Sequence, residues 1–239
     1  MRRLVRVVLL AALAYPALVL LLALLYLAVP PVSTLMIGRW LSGEGVDRRW
    51  VPLSAISPNL AAAVIASEDA RFCQHGGVDW DELREVLGDA DEDGPSRGAS
   101  TIPMQVAKNL FLWPSRSYIR KGLEVPLALL IDLLWSKRRT MEIYLNMAEW
   151  GDGVFGAEAA ARSKFGKAAR DLTRREAALL ATSLPNPRLR NAARPSARHR
   201  TLAAIVGARM DNASTACLGE RARSTAGQKS SGQIDAAPV

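Results

Sequence analysis

An apolar helical run that ends in two adjacent carboxylates constrains this chain more than any other feature. The run covers residues 57–67 and opens on Ser57 and Pro58, which predicts an N-cap followed by a proline in the first helical turn. Glu68 and Asp69 follow directly. Carboxylates are rarely buried without a partner, and an uncompensated one is unfavourable in apolar surroundings. The run therefore predicts either a solvated helix end or a helix that delivers two acids into a site.

Length and charge limit the class of protein. The chain has 239 residues and a formal net charge of +8, which allows one domain of ordinary size with appendages. The positive charge either solvates the surface or favours an anionic partner such as phosphate groups, nucleic acid or a lipid surface. No zinc-finger spacing or RNA-binding signature accompanies it, so nucleic acid is not an expected partner. Cys73 and Cys217 have no spacing that indicates a disulfide or a metal site.

The N-terminal segment is long and apolar. Residues 4–29 are almost wholly apolar, and a bilayer core of ~30 Å needs about 20 such residues in a helix. We therefore predict a cytoplasmic stub and a transmembrane anchor over residues 1–31. Arginines at positions 2, 3 and 6 predict a cytoplasmic N-terminus. A cleaved signal peptide is the alternative, although its apolar region usually has only about 7–15 residues.

The rest of the chain divides by composition. Residues 32–56 are predicted to be a membrane-proximal linker, and residues 211–239, rich in Ser, Ala and Gly, a disordered tail. Helical signals dominate between them, with an acidic flexible loop over 88–98. Further helices are predicted at 79–83, 103–108, 123–135, 140–150, 158–165 and 173–183. Because no apolar alternation is convincing, we expect a mainly α, single-domain fold without a substantial sheet.

Four short motifs in fixed order carry a family resemblance. They are Glu68–Gly77, Gly98–Asn109, Arg120–Glu124 and Lys137–Asn146. Together they resemble the glycosyltransferase family 51 domain of peptidoglycan synthesis, over roughly residues 57–210. The resemblance implies a lysozyme-like helical fold. No Ser-x-x-Lys motif is present, so the penicillin-binding domain of the bifunctional relatives is not expected.

The resemblance also implies roles for individual residues. Glu68 takes the position of the catalytic general base, and Glu124 that of a second catalytic carboxylate. Lys108 and Arg116 fall where the family contacts the donor pyrophosphate. The full set of expected substrate-binding residues is Asp69, Ser100, Thr101, Gln105, Lys108, Arg116, Arg120 and Lys121.

The residue types suit this chemistry. A positioned carboxylate contributes about 10²–10⁴-fold as a general base, and apolar neighbours such as Val64 would raise its pKa toward the useful range. Lysine and arginine stabilise phosphate oxygens, the latter with two parallel hydrogen bonds. Glu124 has open alternatives: a helix ion pair with Arg120, orientation of substrate, or a share in holding a divalent cation (magnesium or manganese) with the pyrophosphate. No metal site made by the protein alone is predicted. Tyr144 and its neighbours are expected to support the cleft structurally.

The implied function is polymerisation of lipid II into linear glycan strands, with inversion at the donor anomeric carbon and release of undecaprenyl diphosphate. The implied location is the cytoplasmic (inner) membrane, crossed once, with the catalytic domain outside. Expected partners are lipid II, the growing lipid-linked glycan chain, the membrane, and other cell-wall synthesis and division proteins. A glycan hydrolase of lysozyme type and a catalytically silent scaffold are the alternatives. A hydrolase has little use for a phosphate-binding group of cations.

Overall fold

A computed structural model describes residues 2–88, 100–115 and 117–219. The helices are α1 (Arg2–Leu25), α2 (Thr34–Leu41), α3 (Pro58–Glu68), α4 (Trp80–Gly88), α5 (Ile102–Phe111), α6 (Tyr118–Leu134), α7 (Lys137–Met147), α8 (Ala157–Phe165), α9 (Arg174–Ala181) and α10 (Ala197–Arg209). Short 3-10 helices cover Leu53–Ala55, Ala169–Asp171, Met210–Asn212 and Ala216–Leu218. The predicted mainly α fold is confirmed.

One small sheet accompanies the helices. Its strands are β1 (Asp47–Arg48), β2 (Glu149–Gly151) and β3 (Val154–Phe155), in the order β1-β3-β2. The first and third strands pair in parallel, and the second and third pair antiparallel. The helix predicted over 140–150 therefore ends earlier, at Met147, and its last predicted residues belong to a strand.

Helix α3 is the centre of the core. Leu60, Ala61, Ala63, Val64 and Ile65 are all buried, so apolar side chains surround the helix instead of forming one stripe. A helix that is apolar all round is a buried helix. α3 packs against α9 and α10, and its C-terminal end brings Glu68 out of the core.

Two local predictions differ from the structure. Ser57 occupies the N-cap position of α3, but its hydroxyl donates to the carbonyl of Leu172 (2.9 Å) instead of capping the helix. α6 begins at Tyr118 and not at residue 123, because the Ser117 side chain caps it. Pro126 consequently lies inside the helix, where a proline removes one helical hydrogen bond.

Helices α2 and α10 lie where the sequence analysis predicted none. The Ser33 hydroxyl caps α2 by accepting from the Met36 amide (3.2 Å), and the Ser196 hydroxyl caps α10 by accepting from the His199 amide (3.2 Å). Met36 is completely buried. α2 also packs against α5, so part of the predicted linker over 32–56 belongs to the folded unit.

The N-terminal helix α1 makes contacts with the domain. Val19 and Ala23 are buried, and the indole of Trp135 donates to the Ala23 carbonyl (2.8 Å). The Tyr15 hydroxyl donates to the Phe111 carbonyl (3.0 Å). Among the described residues, no helix is both long enough and apolar enough to cross a membrane. The transmembrane anchor predicted over residues 1–31 is therefore not found among the described residues and remains a prediction.

The C-terminal segment is held by a disulfide. Cys217 is bonded to Cys73, 144 residues earlier, so the prediction of no disulfide is wrong. Pairing over that distance depends on the fold and leaves no mark in local spacing. Leu218 is buried, and residues 211–219 of the predicted disordered tail are therefore folded against the domain. The rest of that tail and most of the predicted acidic loop (residues 89–98) lie outside the described residues.

Candidate active site

Glu68 is the last residue of α3 and the first member of a hydrogen-bonded chain. The Gln105 amide nitrogen donates to Oε2 of Glu68 (3.0 Å). The hydroxyl of Tyr144 in turn donates to Oε1 of Gln105 (3.1 Å). Burial raises the pKa of Tyr144 well above its ordinary value, so the phenol keeps its proton for this bond. Tyr144 thus fixes the orientation of the Gln105 amide, beyond the purely structural role expected from the sequence.

Burial raises the pKa of Glu68, as the apolar run predicted. The hydrogen bond from Gln105 and the charges of Lys108 and Arg190 act in the opposite direction, and the nearby charge of Asp69 adds to the increase. Desolvation is the largest of these effects. A carboxylate whose pKa is moved toward neutrality by burial is a stronger base than an exposed glutamate.

Asp69 holds the loop after α3 against the start of α5. Its two oxygens lie 2.9 and 3.1 Å from Nε2 of His75. Oδ2 also accepts from the backbone N–H of Ile102 (2.8 Å), at the N-terminus of α5, where negative charge is favourable. His75 thus connects the loop after α3 to Asp69, which is buried.

Ser100 and Thr101 lead into α5. The Thr101 hydroxyl donates to the Gly77 carbonyl (2.7 Å), and it caps α5 by accepting from the Met104 amide (3.3 Å). Ser100 accepts a hydrogen bond from the Lys121 ammonium. Thr101 therefore connects the loop after α3 with α5, and Ser100 connects the segment before α5 with the basic start of α6.

Glu124 is buried at 2% exposure and paired with two cations. Oε1 contacts the Arg120 guanidinium, and Oε2 lies 2.9 Å from the Lys121 ammonium. The helix ion pair between Arg120 and Glu124, one of the alternatives that the sequence left open, is present. Both of its oxygens thus have cationic partners. Within the described residues, no group of three or more His, Cys, Asp and Glu side chains is arranged to hold a metal ion.

Lys108 differs from the other cations. Burial lowers its pKa most; Arg120 and Lys121 lower it further, while the charges of Glu124 and Glu68 raise it. Across residues 2–88, 100–115 and 117–219, no carboxylate lies close enough to pair directly with its ammonium group. Lys108 is therefore a half-buried cation that remains available to an anionic ligand.

Two cavities adjoin these residues. One, of about 320 Å³, is lined by Glu68, Asp69, Ser100, Thr101 and Arg209 among others. The second, of about 460 Å³, is lined by Lys108, Arg120, Trp113, Thr34 and Leu35 among others. Glu68 and Lys108 thus line different cavities, although they are close enough for each charge to affect the pKa of the other.

Two arginines near Glu68 were not predicted from the sequence, and a third arginine that was predicted lies outside the described residues. Arg190 donates to the Thr182 carbonyl (2.8 Å), and its charge acts on Glu68. Arg209 lines the same cavity as Glu68. Both lie more than a hundred residues after Glu68 in sequence, where only the tertiary fold reveals their proximity. Arg116, the predicted partner of Lys108, lies outside the described residues.

Comparison with known proteins identifies the family. Residues 35–211 match the family model described as Transglycosylase. The chain belongs to the transglycosylase family. The predicted resemblance is confirmed, and the protein is a glycosyltransferase enzyme.

Several similar proteins are named biosynthetic peptidoglycan transglycosylase. One from Rhodopseudomonas palustris (strain HaA2) is 56% identical over 215 residues, which are 89% of this chain and 95% of that protein. Another, from Brucella suis biovar 1, is 58% identical over 181 residues, covering 76% of this chain and 81% of that protein. A third, from Rhodospirillum centenum, is 58% identical over 182 residues, covering 76% and 79%.

Proposed function

We propose that this enzyme is a peptidoglycan glycosyltransferase that polymerises lipid II into linear glycan strands at the outer face of the cytoplasmic membrane. The names of the similar proteins support peptidoglycan as the product, and the geometry of the site supports glycosyl transfer. The observation that carries the proposal is the arrangement of two half-buried residues: Glu68 at the edge of one cavity, and Lys108, which pairs with no carboxylate of the described residues, at the edge of the next.

Glu68 acts as the general base. Its carboxylate takes the proton from the 4-hydroxyl of the acceptor N-acetylglucosamine as that oxygen attacks C1 of the donor N-acetylmuramic acid. The bond from C1 to the diphosphate oxygen breaks on the opposite face, which inverts the anomeric carbon. Gln105 and Tyr144 hold the carboxylate in one orientation, so less reorganisation is needed in the transition state.

The cations stabilise the departing undecaprenyl diphosphate. Lys108 and Arg120 line a common cavity, and preorganised charge at a developing anion is usually the largest catalytic contribution. Glu124 fixes Arg120 and Lys121 in place; in this scheme it positions the cations and does not transfer protons. Arg116 is assigned to the same diphosphate on the resemblance alone.

A membrane surface beside the cation cavity suits a lipid-linked donor. Thr34 and Leu35 of α2 line that cavity, and the same helix exposes Ile37, Trp40 and Leu41. Exposed apolar residues next to a basic cavity match a diphosphate attached to a lipid tail. The anchor over residues 1–31 and a single-pass topology belong to this proposal. A disulfide also fits an oxidising compartment outside the cytoplasm.

Membrane contact is tested on a chain that begins at residue 32, once circular dichroism has shown that it folds without the contacts of Val19 and Ala23. Replacing Ile37, Trp40 and Leu41 with Ser should reduce its partitioning onto anionic vesicles, because less apolar surface enters the interface. Met36 is left unchanged because it is part of the core. The matched control is Ile205→Ser, which removes a similarly exposed side chain from α10. Equal partitioning of all three proteins would refute the membrane contact.

Polymerase chemistry is tested with lipid II and detergent-solubilised full chain. Wild type should form glycan polymer, and Glu68→Gln should lower the rate by at least about 10²-fold. The control is Glu44→Gln, a half-exposed carboxylate that lines neither cavity, and it should keep wild-type activity. Absence of polymer from folded wild type would refute the proposal. Cleavage of sacculi by that protein would then favour the hydrolase, and no cleavage would favour the scaffold.

A further inference from the structure

The disulfide connects the C-terminal segment to the loop that carries the site. We call residues 70–78, between α3 and α4, the site loop, and residues 213–219 the C-terminal latch. Cys73 of the site loop lies four positions after Asp69 and two before His75. Cys217 lies in the 3-10 helix of the latch. A covalent bond thus reaches the site loop from the far end of the domain.

The latch has few other attachments. Among the described residues, its backbone hydrogen bonds are internal or reach back to Met210. Leu218 is buried, and the guanidinium of Arg138 donates to its carbonyl (2.9 Å). The Cys73 sulfur also lies 3.1 Å from the Ser214 carbonyl; a disulfide sulfur has no proton to donate, so this is a contact only. The disulfide is therefore the strongest constraint that keeps the latch against the site loop.

The site loop transmits its position to the site through packed neighbours. Phe72 is buried and meets the His75 ring edge-on, with the ring centroids 6.4 Å apart. The Lys137 ammonium lies 4.8 Å from the Phe72 ring and donates to the His75 carbonyl (2.6 Å). His75 then contacts both oxygens of Asp69. A shift of Cys73 would therefore move the residues on which Asp69 and the start of α5 depend.

We propose that the Cys73–Cys217 disulfide is a site of reversible reduction that controls the site loop, and hence the rate of glycan polymerisation. This inference rests on the proposed function for its effect on rate, but not for its structural part. The co-reactant is a dithiol, small or protein-borne. One of its thiolates attacks a sulfur of the disulfide, the bond between Cys73 and Cys217 breaks, and the second thiol releases the reductant as a disulfide. The two electrons and two protons pass to the cysteines.

Both cysteines are partly accessible, which such an exchange requires. Neither Cys73 nor Cys217 belongs to the fully buried core, although both pack against it. After reduction, the attachments that remain are non-covalent: the buried Leu218, the packing of Ala213 and Cys217 against the core, and the Arg138 hydrogen bond. We expect the latch to detach, the site loop to become more mobile, and polymerisation to slow by at least about 10-fold, since small misplacements in a site have large effects on rate.

The experiment compares oxidised and dithiothreitol-reduced full chain. Alkylation followed by mass measurement should find no free thiol before reduction and two after it. Hydrogen exchange should increase in the site loop and the latch upon reduction, with α8 as the internal reference. Polymerisation should fall, and it should return when the protein is reoxidised. Cys217→Ser should have the low rate in both conditions, because it cannot form the bond.

The outcomes separate the latch from the proposed function. If hydrogen exchange increases in both segments but no form of the protein polymerises lipid II, the structural part of the inference is supported and the proposed function is refuted. Unchanged exchange in the site loop after complete reduction would overturn the latch. So would a Cys217→Ser rate equal to that of oxidised wild type.

Discussion

Among the described glycines, Gly77 is the one at which an added methyl group should destabilise the fold most, and its neighbour Gly76 provides the matched control. Gly77 has φ of +84°, and a Cβ there would lie 2.6 Å from the Ala128 carbonyl oxygen and 3.2 Å from Cβ of Asp132. Ala128 belongs to α6, the helix that carries Glu124. At Gly76, by contrast, a Cβ would meet only Oδ2 of Asp132, at 3.6 Å, and φ is in the ordinary range.

The magnitude follows from two contributions. A side chain in left-handed backbone costs about 1–2 kcal/mol, and overpacking against a backbone atom adds about 1–3 kcal/mol. We expect Gly77→Ala to lower the free energy of unfolding by about 3 kcal/mol, which for a chain of this length lowers Tm by about 6–12 °C. Gly76→Ala should instead be neutral or stabilise by up to about 1 kcal/mol, because alanine restricts the unfolded chain.

The assay is thermal unfolding of the full chain in detergent, followed by circular dichroism at one scan rate. Gly77→Ala should also lower polymerisation, since the Gly77 carbonyl accepts the hydrogen bond of Thr101 at the start of α5. Equal melting temperatures for the two variants would show that the close approach of the site loop to α6 is not a real constraint. A Gly77→Ala protein more stable than wild type would refute the argument outright.

Three further results are expected. Because the pKa of Glu68 is raised, the folded protein binds the carboxyl proton more tightly than the unfolded chain does. The stability that this proton contributes is complete below the pKa of the unfolded state, and it is lost as pH rises through the pKa of the folded state. Glu68→Gln should therefore raise Tm at pH 7 but not at pH 4, as melting curves at both pH values would show. Reducing the Cys73–Cys217 disulfide, which spans 144 residues, should lower the free energy of unfolding measured in urea by at most about 5 kcal/mol. Glu124→Ala should lower Tm more than Glu44→Ala, because it leaves Arg120 and Lys121 without their buried partner.

The features of the fold and site that depend on neighbouring residues could be predicted from the sequence. The helix over Pro58–Glu68 follows from its opening proline and its apolar content, and both are properties of neighbouring residues. Side chains three or four residues apart on a helix lie close together. The pair Arg120–Glu124 follows from the same rule. These predictions needed no knowledge of which helices pack together.

Contacts between residues that are far apart in the sequence could not be predicted in this way. Cys217 and Arg190 meet the site only because α9 and α10 fold back onto α3, and nothing in their own surroundings in sequence indicates that. The start of α6 was missed for another reason: Ser117 caps it, but Gly122 and Pro126 in the first three turns weaken the helical signal. Tertiary packing overrides that weak local propensity.

The buried helix α3 explains why fold and chemistry coincide at Glu68. Apolar residues on every side of α3 make it the centre of the core, and the same burial desolvates the carboxylate at its end and raises its pKa. A carboxylate on a more exposed helix would be a weaker base, whereas a carboxyl group buried more deeply would stay protonated. The hydrogen bond from Gln105 and the charges of Lys108 and Arg190 act against this rise in pKa. Burial of Glu68 therefore has two linked effects: it raises the pKa of the carboxyl group, and it lowers the stability of the fold at neutral pH.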